Sequence, residues 1–243
     1  MEGHGRMTAT LLRRLIPIAL GLGLGIIPPG SIAAEPPFST TSRLEPEIIV
    51  SQDPGTFSRI ARKGRGQRMV FDRRTSSTIS MMAFLLEARF ENLNRAIEFQ
   101  VNPEFGRDGS LHQARKYARE IGRLPHVLLS GIRTVVIHRG DKALGGSEGN
   151  ILIHTGRAQK RASAGFLEET LVHEATHASL DSDHRNKPGW NAAQQRDGRF
   201  ITPYARDYPD REDIASSFIM WMAVRFLPDR LTAAQVETVK ETI

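Results

Sequence analysis

The sequence predicts an α+β domain: a small mixed sheet, a helix carrying two histidines one turn apart, and a following helix able to bring a third ligand to them. Three observations support this class. Two β-branched runs, residues 134–138 (TVVIH) and 150–155 (NILIHT), come shortly before residues 170–184 (TLVHEATHASLDSDH). That segment holds His173, Glu174 and His177 as an uninterrupted H-E-x-x-H. Residues 210–226 (DREDIASSFIMWMAVRF) then carry apolar side chains at helical spacing. Strands running directly into helices are the pattern of an α+β chain.

Composition sets the outer bounds. A chain of 243 residues with 40% apolar and 25% charged residues has the length and balance of one globular domain with a tail. Residues 1–34 have the three parts of a secretory signal: Arg6, Arg13 and Arg14, an apolar core over residues 15–27 (LIPIALGLGLGII), and the small residues Ser31, Ala33 and Ala34 at the cleavage region. The core is too short and too broken by Gly and Pro to span a bilayer, so a secreted or periplasmic protein with no stable membrane insertion is expected. Of the 33 basic and 27 acidic residues, those first 34 residues hold three and one, leaving a mildly basic mature chain. Cysteine is absent, which excludes thiolate metal sites and cysteine nucleophiles. Every metal ligand must come from His, Asp or Glu.

Residues 35–68 are rich in Pro, Ser and Thr, with one short apolar run at residues 48–50, and read as a flexible arm or linker. The domain proper is expected over residues 69–243. Residues 84–90 and 96–101 read as a hairpin, since Ile97, Phe99 and Val101 alternate with Glu98 and Gln100; a helix competes for its first half. Ser110 is placed to cap a helix over residues 111–124, where Leu111, Ala114, Tyr117, Ala118 and Ile121 share a face. The two β-branched strands follow, then a basic loop over residues 156–162; beyond the H-E-x-x-H helix, residues 186–199 read as a polar loop. The strand just before the H-E-x-x-H helix is expected to accept an extended peptide by backbone pairing.

On a helix, residues four apart lie one turn above each other, so His173 and His177 can reach one ion while Glu174 projects beside them. Zinc takes imidazole nitrogen and carboxylate oxygen in a tetrahedral shell and in catalytic sites keeps one position for water. Glu174 is then the base for that water. Three residues compete for the third protein ligand: Asp183, His184 and Glu212. The first two need a sharp reversal of the chain after His177, where no Gly stands. Asp181 is free to orient a ligand histidine. Glu212 opens the apolar-striped helix, in which Ile214, Phe218, Trp221 and Met222 form the stripe; it can face an ion held by the other helix or merely complement the helix dipole.

His173-Glu174-x-Thr176-His177-Ala178 with Asp181, and a Glu on a second helix downstream, resembles the glutamate-zincin metallopeptidases. The stretch from Tyr204 to Phe218 is similar to the corresponding part of the anthrax-lethal-factor-like branch. The resemblance implies a zincin-like catalytic domain, one zinc ion held by His173, His177 and Glu212, and Tyr204 as hydrogen-bond donor to the oxyanion, with Tyr208 as its rival. One departure stands out: Ser216 occupies the position where thermolysin-like enzymes carry an acidic residue. The implied activity is hydrolysis of peptide or protein substrates. A zinc-stabilised binding module without turnover is the alternative, and the basic residues Arg157, Lys160 and Arg161 raise the further possibility of an anionic partner. Nucleic acid is not expected among the partners, because aromatic residues to interleave with the basic ones are scarce at 7%.

Overall fold

The computed structural model describes residues 34–243, so the expected signal segment lies, but for Ala34, outside the described residues. Six strands form one mixed sheet: β1 (Phe57–Asp72), β2 (Ser77–Phe90), β3 (Ile97–Val101), β4 (Thr134–His138), β5 (Gly145–Ser147) and β6 (Asn150–His154). The helices are α1 (Gly106–Ile121), α2 (His126–Leu129), α3 (Thr155–Ser163), α4 (Leu167–Leu180), α5 (Pro188–Asp197), α6 (Pro203–Asp207), α7 (Pro209–Phe226) and α8 (Ala233–Thr242). The class is mixed α+β, as expected. Among the described residues no helix is long and apolar enough to cross a membrane.

Strand order is β1-β2-β3-β4-β6-β5. The β1–β2 and β2–β3 pairs are antiparallel, β3–β4 and β4–β6 parallel, and β5 returns antiparallel on β6. Thus residues 84–101 do form a hairpin, with Phe84 opposite Val101 and Ala88 opposite Ile97, and no helix intrudes. Strand β6 is flanked on both sides, so it cannot accept a peptide as expected. The edge belongs to β5, which joins β6 through Glu148 and Gly149, both at positive φ (45° and 79°), the backbone that two-residue hairpin turns favour. Ser147–Asn150 pairing closes the turn.

Strands β3, β4 and β6 are buried on both faces. One face carries Phe99, Val135, Ile137, Ile151 and Ile153 toward the helices. The other carries Val136 and Leu152 against Val70, Met81, Ala83 and Leu85 of the β1–β2 hairpin. A ribbon of this length twists strongly, and its distal half folds over the back of the sheet. At its tip Asp72 is buried and Arg74 bonds both Asp72 and Glu104.

The expected arm is corrected here. Its last third, from Phe57, is part of the longest strand, disguised because β1 is largely exposed and its polar run shows no clean alternation. Residues 34–56 lack regular structure but are anchored: Leu44, Ile48 and Ile49 are buried in the main core. The amides of Ile48 and Ile49 donate to Glu169 Oε1 at 2.7 and 3.1 Å, and the Thr170 hydroxyl donates to the carbonyl of Ser42 at 3.2 Å. Arg230 adds a bidentate ion pair to Asp53 at 2.5 Å. Two expected loops are also helical: residues 155–163 form α3 and residues 188–197 form α5, the latter opened by Pro188 and closed by Gly198 at φ 58°. Helix α1 starts before Ser110, whose hydroxyl donates to the Arg107 carbonyl instead of capping.

Candidate metal centre

Helix α4 forms because residues 166–180 offer an unbroken apolar surface with Glu168 and Glu169 in the first turn, where the helix dipole favours anions. It is buried nearly all round, packing under β5 and against α7. Gly146 of β5 passes so close that a Cβ there would overlap the carbonyl oxygen of Glu174. His173, Glu174 and His177 lie at the open end of this packing, His173 and Glu174 half-buried and His177 buried.

Helix α7 supplies the third group. Its buried face is Glu212, Ala215, Ser216, Ile219, Met220 and Ala223. Ile214 and Met222 are buried as expected, but the rest of the expected stripe is corrected, because Phe218 is only partly buried and Trp221 is 45% exposed, on the flank. Ala215 and Ser216 on this face let α7 approach α4 closely enough for a first-turn carboxylate to reach the histidines.

Glu212 Oε2 stands 3.3 Å from His173 Nε2 and 3.3 Å from His177 Nε2. His173, His177 and Glu212 each offer one ligand atom, all within 4.8 Å of one another, and form the one such group of three among the described residues. Behind them, His177 Nδ1 donates to Asp181 Oδ2 at 3.0 Å, the orienting contact expected of Asp181. The Arg211 guanidinium, which the sequence reading missed, donates to Glu212 Oε1 at 2.7 Å and to the Tyr204 hydroxyl at 2.8 Å. The only signal for it in the sequence was its adjacency to Glu212. Burial works against ionisation of Glu212, but hydrogen bonds from both histidines and Arg211 outweigh it and hold the carboxyl well below the ordinary range. Burial likewise depresses His177, yet Asp181 and Glu212 together push it up to about 9.

Asp183 and His184 are exposed on the turn that continues α4 and join no such group. Tyr204 lines the cleft beside His173 and Glu174, whereas Tyr208 is stacked edge-on against Tyr204 at 5.2 Å and does not line it. The cleft has a volume of about 260 Å³. Its walls are Ser39 to Ser42 of the docked N-terminal segment, Ala143 and Leu144 leading into β5, Arg157 and Arg161 of α3, and Ser216 of α7. No local signal shows that residues 39–42 reach the site: Ser42 docks on Thr170, 128 residues away, and nothing nearby in the chain marks a segment for such a partner. Compared with known proteins, the chain matches no family model, no curated protein and no solved structure. The arrangement of these side chains is therefore the whole basis for a functional reading.

Proposed function

We propose that the chain is a zinc-dependent peptidase of the glutamate-zincin type, with His173, His177 and Glu212 as metal ligands. The observation that carries the reading is the placing of one carboxylate oxygen at 3.3 Å from two imidazole nitrogens. Metal–ligand bonds of about 2.0–2.1 Å in a tetrahedral shell separate neighbouring ligand atoms by about 3.3–3.4 Å, so the two carboxylate–imidazole separations support zinc as the ion. The donor chemistry also fits, with two imidazoles, one carboxylate and a second carboxylate behind His177.

Zinc held there would acidify a bound water and polarise the scissile carbonyl. The remaining roles fall to the chain's own side chains. Glu174 lines the cleft and has no hydrogen-bonded or ionic partner among the described residues, so its carboxylate is free to take a proton from the attacking water. It returns that proton to the leaving amine. The Tyr204 hydroxyl donates a hydrogen bond to the oxygen on which charge develops, and the Arg211 contact holds the phenol in place. Burial and the nearby Glu212 raise the Tyr204 pKa, which keeps the donor protonated at working pH.

The test pairs metal analysis with turnover. Purified chain should hold one zinc and cleave an unfolded protein substrate; Glu174→Gln should keep the zinc and lose about a hundredfold or more in rate. Zinc without cleavage by the wild type would leave a metal-stabilised binding module, and no zinc would end the reading.

A further inference from the structure

The cleft contains a charge that the hydrolytic machinery does not use. Arg157 and Arg161 lie one turn apart on α3, so their side chains share a face, and both line the cleft that holds His173 and Glu174. Their circumstances differ. Arg157 is held from outside: its Nε donates to Asp141 Oδ1 at 2.9 Å and one terminal nitrogen to the Asp141 carbonyl at 3.2 Å. The Asp141 carboxylate is further shared with Lys160. Arg161 is half-buried, and among the described residues its guanidinium has neither a hydrogen-bond acceptor nor a carboxylate partner.

A partly desolvated guanidinium turned to a cleft without a counter-charge is poised for an anion, and its planar fork matches a carboxylate. Glu174 is the one acidic residue lining the cleft, and its carboxylate is occupied by the chemistry proposed for it. The rest of the wall nearby is hydroxyl-bearing, from Ser39, Thr40, Thr41 and Ser42, which adds donors and no negative charge. In a peptide, the available anions are an acidic side chain and the terminal carboxylate.

Resting on the peptidase reading of the same cleft, we propose that Arg161, backed by Arg157, selects peptide substrates that place a carboxylate in the cleft. Arg161 is thus a specificity-determining residue. Arg157, clamped by Asp141, supplies a fixed positive neighbour one turn away.

The test uses three sets of peptides of equal length. In the first, blocked at both ends, a single Glu is moved position by position through a neutral sequence; the second has Gln in its place; the third has Gln with a free C-terminal carboxylate. Binding is measured by fluorescence anisotropy on the zinc-loaded Glu174→Gln chain, and cleavage on the otherwise unaltered chain. The Glu peptides at one position, or the free-carboxylate peptides, should bind at least about tenfold tighter than the blocked Gln peptides, the size of one charge-assisted hydrogen-bonded pair. Arg161→Gln should erase that preference, while Arg115→Gln, which removes a charge from the exposed face of α1, should leave it. A response to the Glu set identifies the side chain as the source, and a response to the third set identifies the terminus.

Equal affinities across all three sets, or a preference that survives Arg161→Gln, would overturn the proposal. Cleavage without any carboxylate preference overturns the specificity and keeps the peptidase. Carboxylate-selective binding without cleavage by the wild type does the reverse. If Arg161→Gln fails to fold, equal affinities across the peptide sets on the unaltered chain still overturn the proposal, and Arg161→Lys, which keeps the charge and loses the planar fork, should weaken the preference.

Discussion

At the scale of single residues, the centre depends on which carboxylate faces the histidines. Glu212→Ala removes the oxygen that stands 3.3 Å from both imidazoles and should abolish zinc binding, whereas Asp183→Ala, at an exposed position outside the cluster, should retain one zinc per chain by mass spectrometry. Loss of zinc in the Asp183 variant would move the third ligand to the turn after α4. A second residue-scale prediction concerns Glu168, which burial in the first turn of α4 pushes up to about 7 from 4.5, with the guanidinium of Arg123 3.7 Å away offsetting part of the effect. The folded pKa lies above the unfolded one, so this group favours the fold below pH 4.5, and that contribution is lost as the pH rises through about 7. Glu168→Gln should therefore be near neutral in acid and stabilising at pH 8 by on the order of 2 kcal/mol. Urea denaturation of both proteins at pH 5 and pH 8 checks the sign; a variant less stable at pH 8 than the wild type contradicts it.

At the scale of elements, two contacts position the cleft. Glu169, fully buried, accepts the amides of Ile48 and Ile49 and so ties the N-terminal segment to α4. Glu169→Ala strands two buried N–H groups and should cost about 2 kcal/mol, since part of the loss is offset by removing a carboxyl whose own burial is unfavourable. The segment should then become the first point of attack in limited proteolysis, and an unchanged digestion pattern would show that the apolar anchors Leu44, Ile48 and Ile49 hold it alone. On the opposite wall, Gly146→Ala drives a methyl group into the Glu174 carbonyl, so β5 must lift away from α4. We expect a loss of about 1–3 kcal/mol, with cleavage impaired more than stability because Ala143 and Leu144, which lead into β5, wall the cleft.

At the scale of the whole molecule, the cleft is built from parts far apart in the chain: residues 39–42, Ala143 and Leu144 leading into β5, α3, α4, the first turn of α6 and the second turn of α7. An ion bridging α4 and α7 would cross-link two helices that otherwise meet through small side chains. With no disulfide to share the task, zinc at about a thousandfold above its Kd should raise the melting temperature by about 10 °C over chelator-treated protein. The same titration in Glu212→Ala should show no shift.

What the sequence determined by itself was what local pattern can encode. The spacing of His173, Glu174 and His177 places them on one helical face wherever that helix lies. The alternation in residues 97–101, the β-branched runs of β4 and β6, and the Thr232 capping box that opens α8 each fold for reasons within a few residues. Polar segments without a clean period, β1, α3 and α5, misread as arm or loop, because their order comes from pairing and packing with distant elements. Only the tertiary structure placed Glu212, and not Asp183 or His184, beside the two histidines, and Tyr204, not Tyr208, on the wall of the cleft. It also brought residues 39–42 and Arg161 into the cleft, since those choices depend on how closely α7, α3 and the N-terminal segment pack on α4, and packing at that range leaves no trace in the spacing of neighbouring residues.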